Sequence, residues 1–413
     1  MRRVYFDNAA TSFPKPPEVL RAMTDYATRL GASPGRGAYA EAREAGALMH
    51  RCRERISRLI GGESPEHVVF TLNTSDALNL AIRGLARPGD HIVTTEMDHN
   101  SVLRPLNALI ERSGITQTRV PVDPETGVVN PDDVRSAIRR DTRLVAVVHA
   151  SNVTGSLQPV GEIGRICRDI GVPLLVDAAQ SVGHMPLDVQ ELAIDLLAVP
   201  GHKGLLGPLG TGALYIRPGL ERSMQTVREG GTGSVSELDV QPETMPDRFE
   251  PGSHNAIGII GLSEGVQYLL ERGIDAIAEH ERGLTSQFIE GLHTGGGEHH
   301  AEMLPGLRLL GPQGVAQRTG VFAVTVDGLP PGALSDLLEE RYGVLTRSGL
   351  HCAPLAHRTF GCAPEQVASP EFVGATRFSI GPFLTLQDVK FATDALAEIC
   401  EQHAAGRLTA GVA

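Results

Sequence analysis

Between residues 64 and 216, apolar β-prone runs alternate with amphipathic stretches, and nothing else in the chain constrains the fold as strongly. Residues 67–71, 90–95, 116–120, 144–149, 173–176, 196–199 and 211–216 read as strands. Residues 75–86, 101–113, 131–139 and 159–170 read as the helices between them. Buried strands alternating with helices predict an α/β fold with a mostly parallel sheet covered on both faces. Such sheets bind ligands at the carboxyl ends of their strands. Thr74, Ser75, His99, Asn152, Asp177 and Lys203 all fall at those ends.

The flanking sequence differs in kind. Residues 38–60 carry a long helical pattern, while 229–253, rich in Gly, Pro and charge, read as a loop or interface segment. A long helix is expected over 258–273. Beyond it, strands (321–326, 376–380) mix with helices (333–341, 386–403), which predicts a smaller α+β C-terminal domain. A chain of 413 residues exceeds one ordinary core. The expected division is a segment 1–14 packing near the active site, a large domain over 15–257 and a small one over 258–413. The tail after Gly406 is expected to fray.

Composition works by exclusion. A net charge of −12 argues against a nucleic-acid or anionic-membrane partner. Met1-Arg2-Arg3 is followed by no apolar core of a signal peptide, and no run approaches the roughly 18 apolar residues of a membrane span. The five cysteines are odd in number and scattered. They read as reduced thiols, with the cytoplasm as the expected location.

Chemistry concentrates in two neighbouring strand ends. Leu174-Leu175-Val176-Asp177 closes an apolar strand with an acid, and Pro200-Gly201-His202-Lys203-Gly204 places a lysine just past the next one. An acid ending an apolar run is costly without a partner. A protonated pyridine nitrogen is such a partner, and a lysine forms a Schiff base with an aldehyde, so the pair points to pyridoxal phosphate (PLP). Gln180 is placed to hydrogen-bond the ring hydroxyl, and the glycines beside Lys203 let backbone approach a ligand closely. Asn73-Thr74-Ser75-Asp76 opens a helix directly after a strand. Its amides and hydroxyls suit a phosphate, and they serve equally as an ordinary N-cap. His99 either stacks on the cofactor ring and shuttles protons or is merely solvated, and His202 carries the same ambiguity.

In the small domain, Arg347-Ser348-Gly349-Leu350-His351-Cys352-Ala353-Pro354 presents a cysteine beside His and Arg in a Gly-containing loop. Such neighbours favour the nucleophilic thiolate over a small buried hydrophobe. Three rival signals are weaker. His351, Cys352, His357 and Cys362 fit no common zinc spacing, and no metal is expected. Gly261-Leu262-Ser263-Glu264-Gly265 matches a hydrolase nucleophile elbow but lies in a helical pattern, so chance explains it better. His293, His299 and His300 read as part of a solvated Gly-rich loop.

Taken in order, these segments resemble the class V, fold-type I PLP enzymes, and among them the cysteine desulfurases and selenocysteine lyases. The likeness spans nearly the whole chain: Tyr5-Phe6-Asp7-Asn8-Ala9-Ala10-Thr11, residues 31–37 and 149–155, the Asp177 and Lys203 segments, 347–354, and Arg377-Phe378-Ser379-Ile380-Gly381. It implies a fold-type I PLP-dependent transferase. It implies that Lys203 carries the PLP, Asp177 pairs with the pyridine nitrogen, Gln180 meets the ring oxygen, and His99 stacks on the ring and serves proton transfer. Thr74, Ser75 and His202 would hold the phosphate, and Asn152 would contact cofactor and substrate. Ser253 would reach the phosphate of a second subunit's cofactor, which implies a homodimer. Asn152 and Arg377 would bind the substrate carboxylate, with Arg347 also contacting substrate and Asn8 or Ala9 lining the pocket. Cys352 would accept the sulfur on a short loop of the second desulfurase type.

The implied reaction takes sulfur from L-cysteine, leaving L-alanine and a persulfide for an acceptor protein or small thiol. A selenocysteine lyase or another C–S lyase is the alternative on the same scaffold. The sulfur's destination, whether iron–sulfur clusters, thionucleosides or another product, is not written in the sequence. There are departures from the family pattern. Pro200 stands where many relatives have Ser, and Ser253-His254 replaces the usual Thr-Pro. Residues 362–374 look longer than expected and read as a lid or partner surface.

Overall fold

The structure, a computed structural model, describes residues 2–35, 37–294 and 302–408. The chain opens with β1 (Val4–Tyr5), α1 (Pro17–Asp25) and α2 (Ala40–Leu59). The alternating block follows as β2 (Val68–Thr71), α3 (Thr74–Leu85), β3 (His91–Thr95), α4 (Asn100–Ser113), β4 (Thr116–Val120), α5 (Pro131–Ala137), β5 (Thr142–Val148), α6 (Val160–Ile170), β6 (Leu174–Asp177), β7 (Leu196–Pro200) and β8 (Gly212–Ile216). These strands form one seven-stranded sheet in the order β2-β8-β7-β6-β5-β3-β4. Only β8 runs against its neighbours. β5, β6, β7 and β8 are almost wholly buried, as strands covered on both faces must be, whereas the edge strand β4 is half-exposed and polar.

After β8 the chain runs irregularly to α7 (Ala256–Arg272). One acid anchors that irregular stretch. Buried Glu250 pairs with Arg53 of α2 at 2.5–2.6 Å and accepts the Phe70 N–H of β2. Then come α8 (Ile274–Glu290), a small hairpin of β9 (His293–Thr294) and β10 (Glu302–Met303), β11 (Leu307–Leu309) and β12 (Val321–Val326). The remainder is α9 (Pro331–Leu337), β13 (Val344–Leu345), β14 (Arg347–Gly349), α10 (Pro354–Thr359), β15 (Ala375–Ser379) and α11 (Leu386–Ala404). A four-stranded antiparallel sheet, β11-β12-β15-β14, shares its core with α8 and α11, through Leu284 and Phe288 of the first and Val389 and Leu396 of the second.

The apolar interior divides between the two sheets. Phe6, Phe288, Phe322 and Phe378 centre the smaller core, with Phe288 and Phe322 stacked at 4.1 Å. Val4 and Phe6 therefore bury the N-terminal segment in the small core, where β1 pairs with β13. Helix α7 differs from the sequence expectation of a small domain starting at residue 258. Its Ile259, Ile260, Leu262, Val266 and Leu269 pack into the core of the large sheet, against α1 and α2. By packing, the two cores part near Gly273, whose φ of 81° turns the chain from α7 into α8. Spacing alone assigns α7 no partner, because its apolar residues circle the helix.

Ser263 lies inside α7, buried, where its Oγ accepts from Arg55 at 2.7 Å, and no strand leads into it. The elbow pattern is therefore a coincidence of helix composition. His293 belongs to β9 and bonds the Ile289 carbonyl, while His299, His300 and the tail beyond Leu408 lie outside the described residues. The 362–374 excursion is closed at its base by the Gly374 N–H to the Cys362 carbonyl at 2.9 Å. Among the described residues, no helix is long and apolar enough to cross a membrane.

Candidate active site

The carboxyl ends of the large sheet face the edge of the small sheet across a cleft of about 270 Å³. Asp177 ends β6 with 3% exposure, and its Oδ1 accepts the Ala179 N–H at 3.0 Å. Burial pushes this carboxyl up, while the Ala179 amide and the Lys203 ammonium pull it down. Lys203 follows β7, and burial lowers its amine to about 8, with Asp177 opposing the shift. The turn that aims it depends on glycine: a Cβ on Gly201 would stand 2.0 Å from Thr211 Oγ1.

The N-terminal segment clamps this turn from outside. Ser12 Oγ donates to the Lys203 carbonyl at 2.8 Å. The His202 carbonyl accepts from Thr11 Oγ1, the Ser12 N–H and Lys15 Nζ at 2.8–3.0 Å. Burial lowers Lys15 to about 8. His202 is lowered to about 4, first by burial and then by Lys203 and Lys15, and its buried Nδ1 has no hydrogen-bond partner.

Thr74 and Ser75 open α3 immediately after β2, with Asn73 capping it by accepting the Asp76 N–H at 3.0 Å. Ser75 Oγ lies 2.6 Å from Ser101 Oγ, which ties the starts of α3 and α4 together. His99 caps α4: its Nδ1 accepts the Ser101 N–H at 3.0 Å, so the proton of the neutral ring sits on Nε2. Burial and the cations Lys203 and Arg104 hold this imidazole down to about 4. The Gln180 amide donates to the Ala9 carbonyl at 3.0 Å, carrying the N-terminal segment to the pocket wall.

Across the cleft, Arg347 and Arg377 stand directly opposite each other on β14 and β15. Two like charges at opposed positions on one face repel, so the pair favours an anion between them. Arg377, 1% exposed, donates to Asp7 Oδ1 at 2.6 Å and to the Asn152 carbonyl at 3.1 Å, and its Nε has no partner. Asn152 donates to the His351 carbonyl at 2.6 Å. Cys352 is exposed, lines the same cleft, and is held through its carbonyl by the Asn100 N–H at 2.9 Å. The other four cysteines are buried, and burial raises their thiols, Cys52, Cys167 and Cys400 to about 12.

The cleft gathers Ala9, Thr74, Ser75, His99, Asn152, Asp177, Gln180, His202, Lys203, Arg347, Cys352 and Arg377. Two expected residues lie elsewhere. Asn8 is spent on the backbone, accepting the Phe13 N–H and donating to the Tyr5 and Ser379 carbonyls, all at 3.2 Å. Its side chain shapes the segment, and Ala9 faces the pocket in its place. Ser253 lines a separate cleft with Arg53, His50 and Thr232, so a single chain does not bring it to Lys203. The cleft also takes in Ala10, Asn73, Ser101 and His351, to which the sequence assigned no role in the site. Asp7 was likewise missed as the partner of Arg377, although it sits in the quoted Asp7-Asn8-Ala9-Ala10 run. Among the described residues, no three His, Cys, Asp or Glu side chains gather as metal ligands.

The class-V aminotransferase family model matches residues 4–391. The chain belongs to that family. This class-V chain is 37% identical over 400 residues to a probable cysteine desulfurase of Methanothermobacter thermautotrophicus, covering 96% of this chain and 94% of the relative. It is 32% identical to a cysteine desulfurase of Escherichia coli O157:H7 over 357 residues, 84% of each chain. The apo cysteine desulfurase of Thermococcus onnurineus NA1 superposes with a TM-score of 0.86 at 32% identity, covering 97% of this chain and 95% of that one.

Class-V enzymes of this kind depend on PLP, and the residues here fit that group. A lysine amine lowered to about 8, a buried carboxylate without a cationic side chain bonded to it, an unpartnered His202 Nδ1 and the open start of α3 match its aldehyde, ring nitrogen and phosphate.

Proposed function

We propose that this protein is a cysteine desulfurase that takes sulfur from L-cysteine, leaves L-alanine and carries the sulfur as a persulfide on Cys352. The observation that carries this reading is the placement of the one exposed cysteine on the wall opposite Lys203, in a cleft with two arginines. Bound PLP supplies an electron sink for the carbon chain of the substrate. Arg377 and Arg347 take the substrate carboxylate, aided by Asn152. Asp177 would pair with the ring nitrogen, and Thr74, Ser75 and His202 would take the phosphate. Lys203 would hold the cofactor through its amine, and the same amine, when free, would take the Cα proton. His99 presents Nε2–H from the cap of α4 for proton transfer. Cys352 Sγ bonds the substrate sulfur as the Cβ–S bond breaks, and the carbon gains protons to become alanine.

The working form in this reading is a cytoplasmic homodimer with an acceptor protein or small thiol collecting the sulfur. Ser253, in a cleft apart from Lys203, is then the residue that meets the phosphate of the second subunit's cofactor. Leu72, Leu209, Leu238 and Val240 are exposed apolar side chains of the kind a partner covers. The chain divides, in this reading, into an N-terminal clamp, a PLP-binding large domain and a small domain that presents the cysteine. Incubating the purified holoenzyme with L-cysteine and an excess of dithiothreitol, which reduces the persulfide as it becomes a disulfide, should give alanine and sulfide in equal amounts. Cys352→Ser should lose both while keeping the visible absorbance of bound PLP. Full turnover in that variant would sink the assignment. Turnover of selenocysteine but not cysteine would shift it to a lyase.

A further inference from the structure

The Cys352 loop contains a hydrogen-bonded pair of imidazoles whose protons are fixed by their partners. His351 Nε2 lies 3.1 Å from the Arg347 carbonyl oxygen, and a carbonyl only accepts, so Nε2 carries the proton. His351 Nδ1 lies 3.1 Å from His357 Nε2. Burial holds His351 well below the ordinary imidazole range and His357 at about 4, so each ring carries one proton. His351 Nδ1 is then an acceptor, and His357 Nε2 must donate to it. That leaves His357 Nδ1 bare, and it is in fact buried with no partner. The ring planes lie within 29° of each other with centroids 5.3 Å apart, the edge-to-edge spacing of an N–H···N bond.

This relay of bonds starts on α10, passes through the residue before the cysteine, and ends on the first residue of β14. It braces a stretch that needs bracing. His351 and Cys352 are consecutive non-glycine residues in the left-handed region, with φ of 50° and 58°. L-residues seldom adopt that conformation singly, and a neighbouring pair needs external constraint. The large domain supplies part of it through Asn152 on the His351 carbonyl and Asn100 on the Cys352 carbonyl. The imidazole pair supplies the rest from inside the loop.

We infer that His351 and His357 are positioning residues that lock the Cys352 loop in its curled conformation over the cleft, for the sulfur-transfer step. The functional half of this inference rests on the reading of Cys352 as sulfur acceptor; the structural half does not. The test uses PLP-loaded enzyme. His357→Leu removes the donor, and His357→Gln restores an N–H near the Nε2 position. Amide hydrogen exchange across residues 347–353 should quicken by about tenfold or more in the Leu variant and return close to wild type in the Gln variant. Persulfide formation on Cys352 should slow by about the same factor, while the cofactor's spectral response to cysteine stays within about twofold.

Unchanged exchange in a folded His357→Leu protein overturns the inference. So does equal slowing of the spectral response and of persulfide formation without rescue by Gln. If the Leu variant does not fold, His351→Gln decides: with its N–H on the Arg347 carbonyl, its amide oxygen lies away from the Nδ1 position that accepts from His357, and it should quicken exchange in the same way. Wild-type exchange there also overturns the inference. If wild-type enzyme releases no alanine from cysteine, the desulfurase reading fails, and the exchange measurement alone judges the imidazole pair.

Discussion

The two walls of the cleft are built by opposite means. On the large-sheet side, Asp177 and Lys203 sit at the ends of buried strands, and a turn that tolerates only glycine at position 201 fixes the lysine's approach. On the small-domain side, the thiol stands exposed on a curled loop held by side-chain bonds. The difference follows from the tasks proposed for each wall. A base and an electron-sink partner gain from desolvation, which here brings Lys203 down to about 8. A group that must pass its cargo outward cannot be buried. The N-terminal segment joins the walls, with β1 in the small core and Ser12 on the Lys203 carbonyl.

The sharpest break of this comparison is Lys203→Ala. It should remove the visible absorbance of bound PLP and cost at least about 10²–10⁴-fold in alanine formation from loss of the base alone. Retained absorbance would mean that another lysine holds the cofactor. Cys352→Ser should instead leave that absorbance intact and abolish persulfide, which separates the walls in two spectra and one mass measurement.

Glu250→Gln tests the stiffness of the large-sheet wall. It leaves the Arg53 guanidinium buried without its charge partner and should cost about 3–5 kcal/mol in a denaturant titration. A loss below about 1 kcal/mol would show that the wall does not depend on this anchor.

Acid should weaken both walls. His99, His149, His202 and His357 are all lowered to about 4, whereas unfolded histidine titrates near 6.5. Between those values these four histidines bind more protons in the unfolded chain, while Asp98, raised by burial to about 7, and Asp177, also raised, bind more in the folded one; the histidines outnumber the acids, so stability falls as pH drops from 6.5 toward 4. Each imidazole contributes up to about 1.4 kcal/mol per pH unit, less where it is partly exposed. A melting temperature of the apoprotein flat from pH 7 to 5 would contradict these burials. The smallest effect is kinetic. With its amine at about 8, apoenzyme Lys203 should capture PLP roughly tenfold faster at pH 9 than at pH 7, measured by stopped-flow absorbance.

The alternation of strands and helices was legible because buried parallel strands are locally apolar and their helices locally amphipathic, and all seven large-sheet strands lie where the pattern puts them. Asp177 and Lys203 were legible because one ends such a strand and the other lies in the turn just past the next. Asn8 was misplaced because its role depends on Ser379, far away in sequence, whose carbonyl it bonds. Asp7 was missed, and His351 and His357 were grouped only as a poor zinc pattern, for the same reason: the bond that defines each, Asp7 to Arg377 or His351 to His357, spans a turn or joins the two halves of the chain. The membership of α7 escaped because its apolar residues circle the helix, so no stripe names the sheet it covers.

The sequence by itself determined the parallel sheet, the strand ends that carry the acid and the lysine, and the cysteine that stands among polar neighbours. Those are local patterns, set by side-chain periodicity within a few residues. Only the tertiary structure decided that the N-terminal strand joins the small core, that Asp7 holds Arg377, and that two buried imidazoles brace the cysteine loop. Each of these is a contact between segments distant along the chain or folded back on themselves. Their geometry comes into being only when the two cores close on one another.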